Sequence, residues 1–184
     1  MNHIAFIKHC FKNFKTAGTI ARSSKQLCRQ MVNEIDFDQA LHIVELGAGD
    51  GVLTKHILKN MRDDAKLISF EINDAFCELL HTIDDDRLIV VQDSAEHIEQ
   101  YIQQHNIHAL DAVISALPFI VLPSDLSKKI VQSCHQVLKK NGFFIQMHYS
   151  LTLKKMYQQI FGAISIKFVA LNLPPAYVLS MVKE

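Results

Sequence analysis

The segment from Leu41 to Gly51 constrains the fold of this chain more than any other stretch. It reads Leu-His-Ile-Val-Glu-Leu-Gly-Ala-Gly-Asp-Gly. The apolar run through Ile43 and Leu46 predicts a buried strand. Three glycines at alternate positions then break the run, and apolar residues return at helical spacing from Leu53 onwards. Strand, glycine turn and helix in this order predict the opening unit of a parallel α/β nucleotide-binding fold.

The glycines of this turn have a physical task. Gly47, Gly49 and Gly51 can adopt backbone angles that a β-carbon disfavours, and they let the main chain lie directly against a ligand. The helix that follows directs unpaired amides and its positive end at the turn. We therefore expect all three glycines to bind a cofactor, together with Glu45 two positions before them. Asp50 is placed to cap the helix or to belong to the same site.

The spacing of these residues distinguishes between nucleotides. A dinucleotide fingerprint is G-x-G-x-x-G, whereas this chain has an acid followed by G-x-G-x-G. That pattern resembles the first motif of class I methyltransferases that use S-adenosylmethionine. A purely structural glycine turn in another α/β protein is the alternative.

The rest of the chain alternates strands with helices, which implies parallel crossovers. Strands are predicted over 43–46, 67–70, 88–91, 112–116, 143–147, 164–171 and 176–181, and helices over 25–35, 53–61, 74–81, 95–104, 124–140 and 153–161. We expect a single domain over 1–184, with an N-terminal helical segment (1–35) and an α/β core (36–184). The core is predicted as a doubly wound, mostly parallel, seven-stranded Rossmann-like sheet that closes with an antiparallel hairpin.

Composition excludes several classes of protein. Lysine plus arginine equals aspartate plus glutamate at 19 each, and the zero net charge counts against a dedicated nucleic-acid binder. No apolar run approaches the ~20 residues of a membrane span, and no signal peptide is recognisable. The four cysteines form no C-x-x-C pair, which is typical of a reducing cytosol. No further ligands accompany the pairs His105/His108 and Cys77/His81, so we expect no metal site. The cysteine pattern and the lack of a recognisable signal peptide or membrane span predict a cytoplasmic protein.

Residues 3–15 form a predicted basic amphipathic helix. Ile4, Ile7, Phe11 and Phe14 recur at helical steps, and lysines lie largely off that stripe. Such a helix can lie on an anionic lipid surface, which would place the protein peripherally on the inner membrane face. The alternative is that the stripe packs on the domain or covers a ligand.

Acidic residues follow two of the predicted strands, at the edge where a doubly wound sheet binds its ligand. Glu71 ends the second strand and can accept hydrogen bonds from ribose hydroxyls, with Ile72 beside it. Asp93 follows the third strand and can accept a hydrogen bond from an adenine amino group, with Ser94 beside it. The alternatives are a solvated strand-end acid for Glu71 and a helix cap for Asp93.

Two further candidate groups follow the fourth and fifth strands. The segment from Ser115 through Pro118 to Phe119 resembles the N/D/S-x-P-Y/F motif of methyltransferases that act on amino nitrogens. The resemblance implies that Ser115 and nearby carbonyls hold the target nitrogen and that Phe119 packs against the acceptor. Tyr149 can line the acceptor pocket or simply be a strand-end aromatic residue, and His148 can take a proton from the amine.

Several segments together resemble the small bacterial phospholipid N-methyltransferase family, which is similar to the ribosomal-RNA adenine dimethyltransferases in its cofactor half. The segments are 11–13, 19–24, 45–49, 71–73, 117–119 and 172–176. The resemblance implies S-adenosylmethionine as cofactor and phosphatidylethanolamine or a methylated intermediate as substrate. The loop 117–123 is almost wholly apolar, which suits a lipid or another apolar partner, unless Ile120 and Leu122 tuck under the next helix.

Two other functions remain open at this point. A ribosomal-RNA adenine dimethyltransferase shares the cofactor half, but it needs a basic surface and usually an added helical domain. A non-catalytic module of the same fold could bind the cofactor and hold a partner through the apolar loop.

Overall fold

The computed structural model describes residues 23–184 of the chain. Seven strands form one sheet: β1 His42–Leu46, β2 Lys66–Phe70, β3 Leu88–Val91, β4 Leu110–Ser115, β5 Leu138–His148, β6 Ser165–Val169 and β7 Ala176–Val182. The α-helices are α1 Lys25–Val32, α2 Val52–Asn60, α3 Asp74–His81, α4 Ile98–Gln104, α5 Ser124–Val137 and α6 Lys154–Phe161. Short 3-10 turns span Ala95–His97 and Phe119–Val121.

The strand order is β3-β2-β1-β4-β5-β7-β6. The first five strands are parallel to one another, whereas β7 pairs antiparallel with both β5 and β6. The order reverses between β1 and β4, and a doubly wound sheet binds its ligand at the carboxyl ends beside such a reversal. The predicted fold class and the closing antiparallel hairpin are confirmed.

Helices cover both faces of the sheet. On one face, α1 and α2 pack apolar side chains such as Met31 and Ile57 against the strands. On the other face, α4, α5 and α6 contribute residues such as Ile102, Ile130 and Phe161. Strand residues alternate between these two cores, so every central strand is apolar on both faces, as expected for a buried parallel sheet.

Local signals account for most of the element boundaries. Ser24 caps α1 by accepting from the amide of Leu27 at 3.1 Å, and Asn73 caps α3 by accepting from Phe76 at 3.2 Å. The two caps begin the helices that the sequence predicts over 25–35 and 74–81. The cap of α2 is Gly51, without a side-chain bond. Asp50 accepts from the amide of Val52 at 3.4 Å.

The prediction of one long helix over 124–140 is wrong. The helix ends at Val137, and Leu138 already lies in β5, paired with Leu110 of β4. Leu138 is 2% exposed, and its burial in the sheet outweighs the helical propensity of the lysines that follow. Asn141, the first residue beyond the predicted helix, sits at φ 62° within a register shift of β5 instead.

The predicted basic helix over 3–15 lies outside the described residues. The structure describes only the last part of the predicted N-terminal helical segment, where α1 ends at Val32. Within residues 23–184, no helix is both long and apolar enough to cross a bilayer. In the same range, no group of three or more histidine, cysteine or acidic side chains is arranged to hold a metal ion.

Candidate active site

The glycine turn joins β1 to α2 and is fastened to the end of β2. The amides of Gly47 and Ala48 donate to the carbonyl oxygen of Phe70 at 2.9 and 3.1 Å. Gly47, Gly49 and Gly51 all have positive φ, at 78°, 57° and 77°. The turn therefore lies at the carboxyl edge of the sheet, where the strand order reverses.

The three glycines differ in what a β-carbon would meet. At Gly47 it would lie 2.9 Å from the side chain of Leu117, and at Gly51 it would lie 3.2 Å from Leu80 and Ile83. At Gly49 no atom lies within 4 Å. Gly51 thus allows close packing between α2 and α3, whereas a β-carbon at Gly49 would point into open space. That Gly51 contacts the cofactor stays a prediction.

Glu71 connects the end of β2 to the glycine turn. Its Oε2 accepts from the amide of Gly49 at 2.8 Å, and its Oε1 accepts from the amides of Ile72 and Asn73, also at 2.8 Å. The side chain is 9% exposed, so it is not a solvated strand-end acid. A carboxylate oxygen can accept two hydrogen bonds, which leaves one acceptor position on Oε2 for a ligand hydroxyl.

A cleft lies beside Glu71 and opens to solvent; its volume, with the open space at its mouth included, is about 380 Å³. It is lined by Gly47, Phe70, Glu71, Ile72, Asp93, Ser94, Ala95, Leu117, Leu122 and Ile130. Five of these were predicted as cofactor-binding residues from their positions after β1, β2 and β3. Leu122 and Ile130 were not predicted. They lie in a loop and in α5, where an apolar side chain carries no signal that distinguishes a cleft from a core.

Asp93 lines this cleft, and its carboxylate is hydrogen-bonded to residues that follow it in the chain. Its Oδ1 accepts from the amide of Ser94 at 2.6 Å, and its Oδ2 lies 3.0 Å from His97 Nδ1 and accepts from the Tyr101 hydroxyl at 3.1 Å. Burial, followed by the hydrogen bond to Asp93, raises the pKa of Tyr101. The cap of the following turn is Ser94, which accepts from Glu96 at 3.4 Å. The helix-cap alternative for Asp93 therefore applies to Ser94.

Glu45 is fully buried between α2 and β2. Its Oε2 accepts from the hydroxyls of Thr54 and Ser69, both at 2.7 Å. Its Oε1 finds no hydrogen-bond partner anywhere in the described chain. Burial raises the pKa of Glu45 to about 7, although the two hydroxyl bonds act in the opposite direction. An unpartnered buried carboxylate oxygen is costly, and it is available to a cationic or N–H donor group.

Buried polar groups hold the turn after β4. Ser115 is fully buried, and its Oγ accepts from the amide of Leu117 at 3.3 Å. On the neighbouring strand, Gln146 is also fully buried, and its Nε2 donates to the carbonyl oxygens of Leu117 at 3.0 Å and Met147 at 2.6 Å. Pro118 comes next in the chain and precedes the 3-10 turn.

Gln146 was not predicted as a site residue. Because both partners of its nitrogen are carbonyl oxygens, the orientation of its amide is fixed. Its Oε1 has no hydrogen-bond partner among the described residues. The available signal was a single glutamine inside the apolar strand segment 143–147, where a polar side chain is expected to have a specific partner.

Phe119 and His148 lie in the core rather than in the cleft. Phe119 is 1% exposed, and its ring packs edge-on against Tyr157. His148 Nε2 lies 2.8 Å from the Tyr157 hydroxyl. Burial lowers the pKa of His148 to about 4, so the imidazole is neutral at pH 7. Neither side chain is placed to face an acceptor, because α6 covers them.

Tyr149 lies on the opposite face of the sheet from His148, half-buried against the α1 side. Burial raises its pKa, with a smaller lowering effect from Asn172. The loop 117–123 is also largely internal, since Leu117, Phe119 and Leu122 are all buried, and among its large apolar side chains only Ile120, at 51%, is well exposed. The predicted apolar patch on this loop is therefore reduced to one side chain.

The residues present fit S-adenosylmethionine. The turn offers open space at Gly49, Glu71 keeps an acceptor for a hydroxyl, and Glu45 holds a buried oxygen without a partner. An adenosine with ribose hydroxyls and an amino group matches the polar edge of the cleft, and its base matches the apolar walls.

Comparisons with known proteins agree with this geometry. Residues 19–167 match the family model described as ribosomal RNA adenine dimethylase. The ornithine lipid N-methyltransferase of Singulisphaera acidiphila is 32% identical over 174 residues, which cover 93% of this chain and 91% of that protein.

Solved structures share the fold at low sequence identity. The O-methyltransferase from Bacillus cereus in complex with SAH has a TM-score of 0.70 and 10% identity, over 97% of this chain and 91% of that one. Magnesium protoporphyrin IX methyltransferase from Synechocystis PCC 6803 with bound SAM has a TM-score of 0.68 and 9% identity, over 100% and 98%. The chain belongs to the ribosomal RNA adenine dimethylase family and is a class I methyltransferase that uses S-adenosylmethionine.

Proposed function

We propose that this enzyme methylates the amine of a membrane-lipid headgroup. The observation that carries the proposal is the 32% identity to an ornithine lipid N-methyltransferase, sustained over nearly the whole of both chains. Phosphatidylethanolamine, its methylated forms and ornithine lipid all present an amine at the head of a lipid, so they form one substrate class.

S-adenosylmethionine supplies an electrophilic methyl group on a sulfonium when it is bound. The contribution of the chain is then alignment and exclusion of water. In the proposed arrangement, Gly49 leaves room for the cofactor beside the main chain, and Glu71 Oε2 accepts a hydrogen bond from one of the cofactor's hydroxyl groups. Glu45 Oε1 provides a buried acceptor for an N–H donor. Ile72, Asp93 and Ser94 form the wall on the side of β3.

The acceptor amine is proposed to bind after β4. Ser115 and Gln146 fix the turn from inside through Leu117, whose carbonyl oxygen already accepts from Gln146 and from the amide of Phe119. The carbonyl oxygens on either side in the segment 116–118, at Ala116 and Pro118, can then accept hydrogen bonds from the amine. Pro118 stiffens this segment, and Tyr149 is the aromatic residue that remains available to line the entrance. The amine must be neutral to attack, and its proton leaves through water. His148 is already bonded to Tyr157, so we assign it no direct part in this step.

The test is transfer of a labelled methyl group from S-adenosylmethionine to defined acceptors. The full chain is incubated with detergent-dispersed phosphatidylethanolamine, with ornithine lipid, and with unmethylated ribosomal RNA of the small subunit. Label in either lipid supports the proposal and identifies the headgroup. Cofactor binding without label in any lipid would overturn it.

A second candidate is methylation of adenine in RNA, which the description of the matched family model favours. The same experiment separates the two, because label in RNA and none in lipid would establish that activity. Calorimetric binding of the cofactor, with no label in any of the three acceptors, would favour a non-catalytic module.

A further inference from the structure

The zero net charge of the chain conceals a strong separation of charge along the sequence. Of the 19 acidic residues, 18 lie within 34–125, together with only five lysines and arginines. Residues 126–183 contain eight lysines and no aspartate or glutamate. In the fold, this acid-free segment forms most of α5 and all of β5, β6, β7 and α6. One half of the sheet is therefore basic and the other half acidic.

Some of the lysines of the basic half are neutralised by acids outside it. Lys129 pairs with Glu96, and Lys139 with Asp111. Lys167 likewise pairs with Glu34. Lys154 and Lys155, in the first turn of α6, form no such pair within residues 23–184. They follow β5 directly, at the carboxyl edge of the sheet.

The same edge exposes leucines. Because β7 is antiparallel to both its neighbours, β6 runs in the same direction as β5. The turn after β6 and the loop after β5 therefore lie on the cleft side of the sheet. Leu171 and Leu173 in that turn are 76% and 83% exposed, and Leu151 in the loop is 37% exposed. We call these three residues the leucine rim.

The exposure of the leucine rim is built into the turn. Asn172, between the two most exposed leucines, is 2% exposed. Its Oδ1 accepts from the amide of Ser24 at 3.0 Å, and its Nδ2 donates to the carbonyl oxygen of Pro174 at 2.8 Å. An inward asparagine held at both ends fixes its neighbours outward, so Leu171 and Leu173 are displayed where burial would have stabilised the fold.

We propose that the leucine rim docks the cleft edge of the enzyme onto an anionic lipid bilayer. The leucines enter the boundary of the acyl chains, and Lys154 and Lys155 meet the lipid phosphates. Exposed leucines beside Lys154 and Lys155, which form no ion pair within residues 23–184, suit a bilayer better than RNA. Single strands of RNA are bound through aromatic stacking and arginine. This inference rests on the proposed lipid substrate, since docking brings the headgroup to the cleft without removing the lipid from its membrane.

The test is sedimentation of the full chain with vesicles of phosphatidylglycerol and phosphatidylcholine. The double variant Leu171→Ser/Leu173→Ser is expected to lower the partition coefficient at least about tenfold. The control Leu79→Ser removes a leucine that is 50% exposed on α3, in the acidic half, and is expected to leave partitioning unchanged. Unchanged affinity for S-adenosylmethionine verifies that the rim variant is folded.

A second pair of variants tests the charge. Lys154→Gln/Lys155→Gln is expected to weaken binding to the anionic vesicles about tenfold and to flatten its salt dependence, with little change on pure phosphatidylcholine. Lys55→Gln/Lys59→Gln, on the exposed face of α2, is the matched control.

The possible outcomes test docking to the membrane separately from methylation of a lipid substrate. If the rim variants partition like the unmodified chain, or if the chain binds RNA and not vesicles, the docking proposal is overturned. Methylation of detergent-dispersed lipid without any vesicle binding overturns docking alone. Rim-dependent vesicle binding with no methylation of any lipid supports docking and overturns the proposed function.

Discussion

The carboxylate of Glu71 accepts a hydrogen bond from the amide of Gly49 at 2.8 Å, across the gap between the ends of β2 and β1. The glycine turn is thereby held in shape by an acid that also faces the cleft. Since the other oxygen of Glu71 accepts from Ile72 and Asn73, the side chain has one conformation before a ligand arrives. This preorganisation reduces the entropy that cofactor binding would otherwise lose.

Replacing Glu71 with glutamine is expected to weaken binding of S-adenosylmethionine at least tenfold, ~1.4 kcal/mol. A glutamine amide nitrogen cannot accept, so at least one of the three N–H groups would face a donor. Calorimetric titration measures the effect, and Glu78→Gln on the exposed face of α3 is the control. Equal affinity in both variants would remove Glu71 from the site.

Adding a methyl group at Gly49 is expected to obstruct the cofactor. Both Gly49 and Gly162 have positive φ, and a β-carbon on either meets no atom within 4 Å. Alanine at either position costs about 1–2 kcal/mol of backbone strain, so both variants should melt earlier. Only Gly49→Ala should also lose affinity for S-adenosylmethionine, by about tenfold or more. A similar loss in Gly162→Ala would mean that strain, and not obstruction, is responsible.

Gln146 is expected to act on the acceptor side of the reaction through Leu117. Gln146→Glu keeps the length of the side chain but removes both N–H donors. The carbonyl oxygen of Leu117 therefore loses the hydrogen bond from residue 146 that holds it in place. We expect the rate of methyl transfer to fall at least about tenfold, with cofactor affinity within about twofold of the unmodified chain.

A general loss of stability would affect both measurements in the Gln146 variant, so their ratio is the decisive quantity. The control is Gln132→Glu, on the exposed face of α5. If cofactor affinity falls in parallel with the rate, Gln146 serves only to keep the core intact.

Stability should depend on pH through Glu45. Burial raises its folded pKa to about 7 from the ordinary value of 4.5, so between these limits the folded chain binds more protons than the unfolded chain. The stabilising contribution of Glu45 is therefore complete below pH 4.5 and is lost as pH rises through 7. Glu45→Gln should gain stability relative to the unmodified chain between pH 5 and pH 8, on the order of 3 kcal/mol.

Urea unfolding at the two pH values measures this difference. His148 acts in the opposite direction, because its lowered pKa makes it destabilising as pH falls from 6.5 towards 4. It is present in both proteins, so the comparison isolates Glu45. A variant whose stability runs parallel to that of the unmodified chain would show that Glu45 is ionised throughout.

The sequence was sufficient to predict the sheet and five of the residues that line the cleft, because these depend on local patterns. The glycine turn, Glu71 and the cap at Asn73 lie within a few residues of the strands they follow. The end of α5 was not predictable in this way, since the burial of Leu138 against Leu110 is a contact between distant parts of the chain.

The acceptor side was predicted less well for a similar reason. Phe119 and His148 follow strands, as ligand-binding residues do, but the Tyr157 side chain on α6 closes over both. Gln146 was missed because its role depends on a neighbouring strand. The leucine rim could not be predicted without the direction of β7. Because β7 is antiparallel to both β5 and β6, the turn after β6 lies on the cleft side.

The position of β7 inside the sheet has a consequence for synthesis of the chain. In the described part of the chain, β6 is joined to the sheet only through β7, although β6 is translated first. Until residues 176–182 leave the ribosome, β6 cannot pair with its neighbouring strand, and the turn beyond it cannot be held in the shape described above. The residues that line the cleft all lie between 47 and 130, so we expect the cleft to be synthesised, and able to take shape, before the rim.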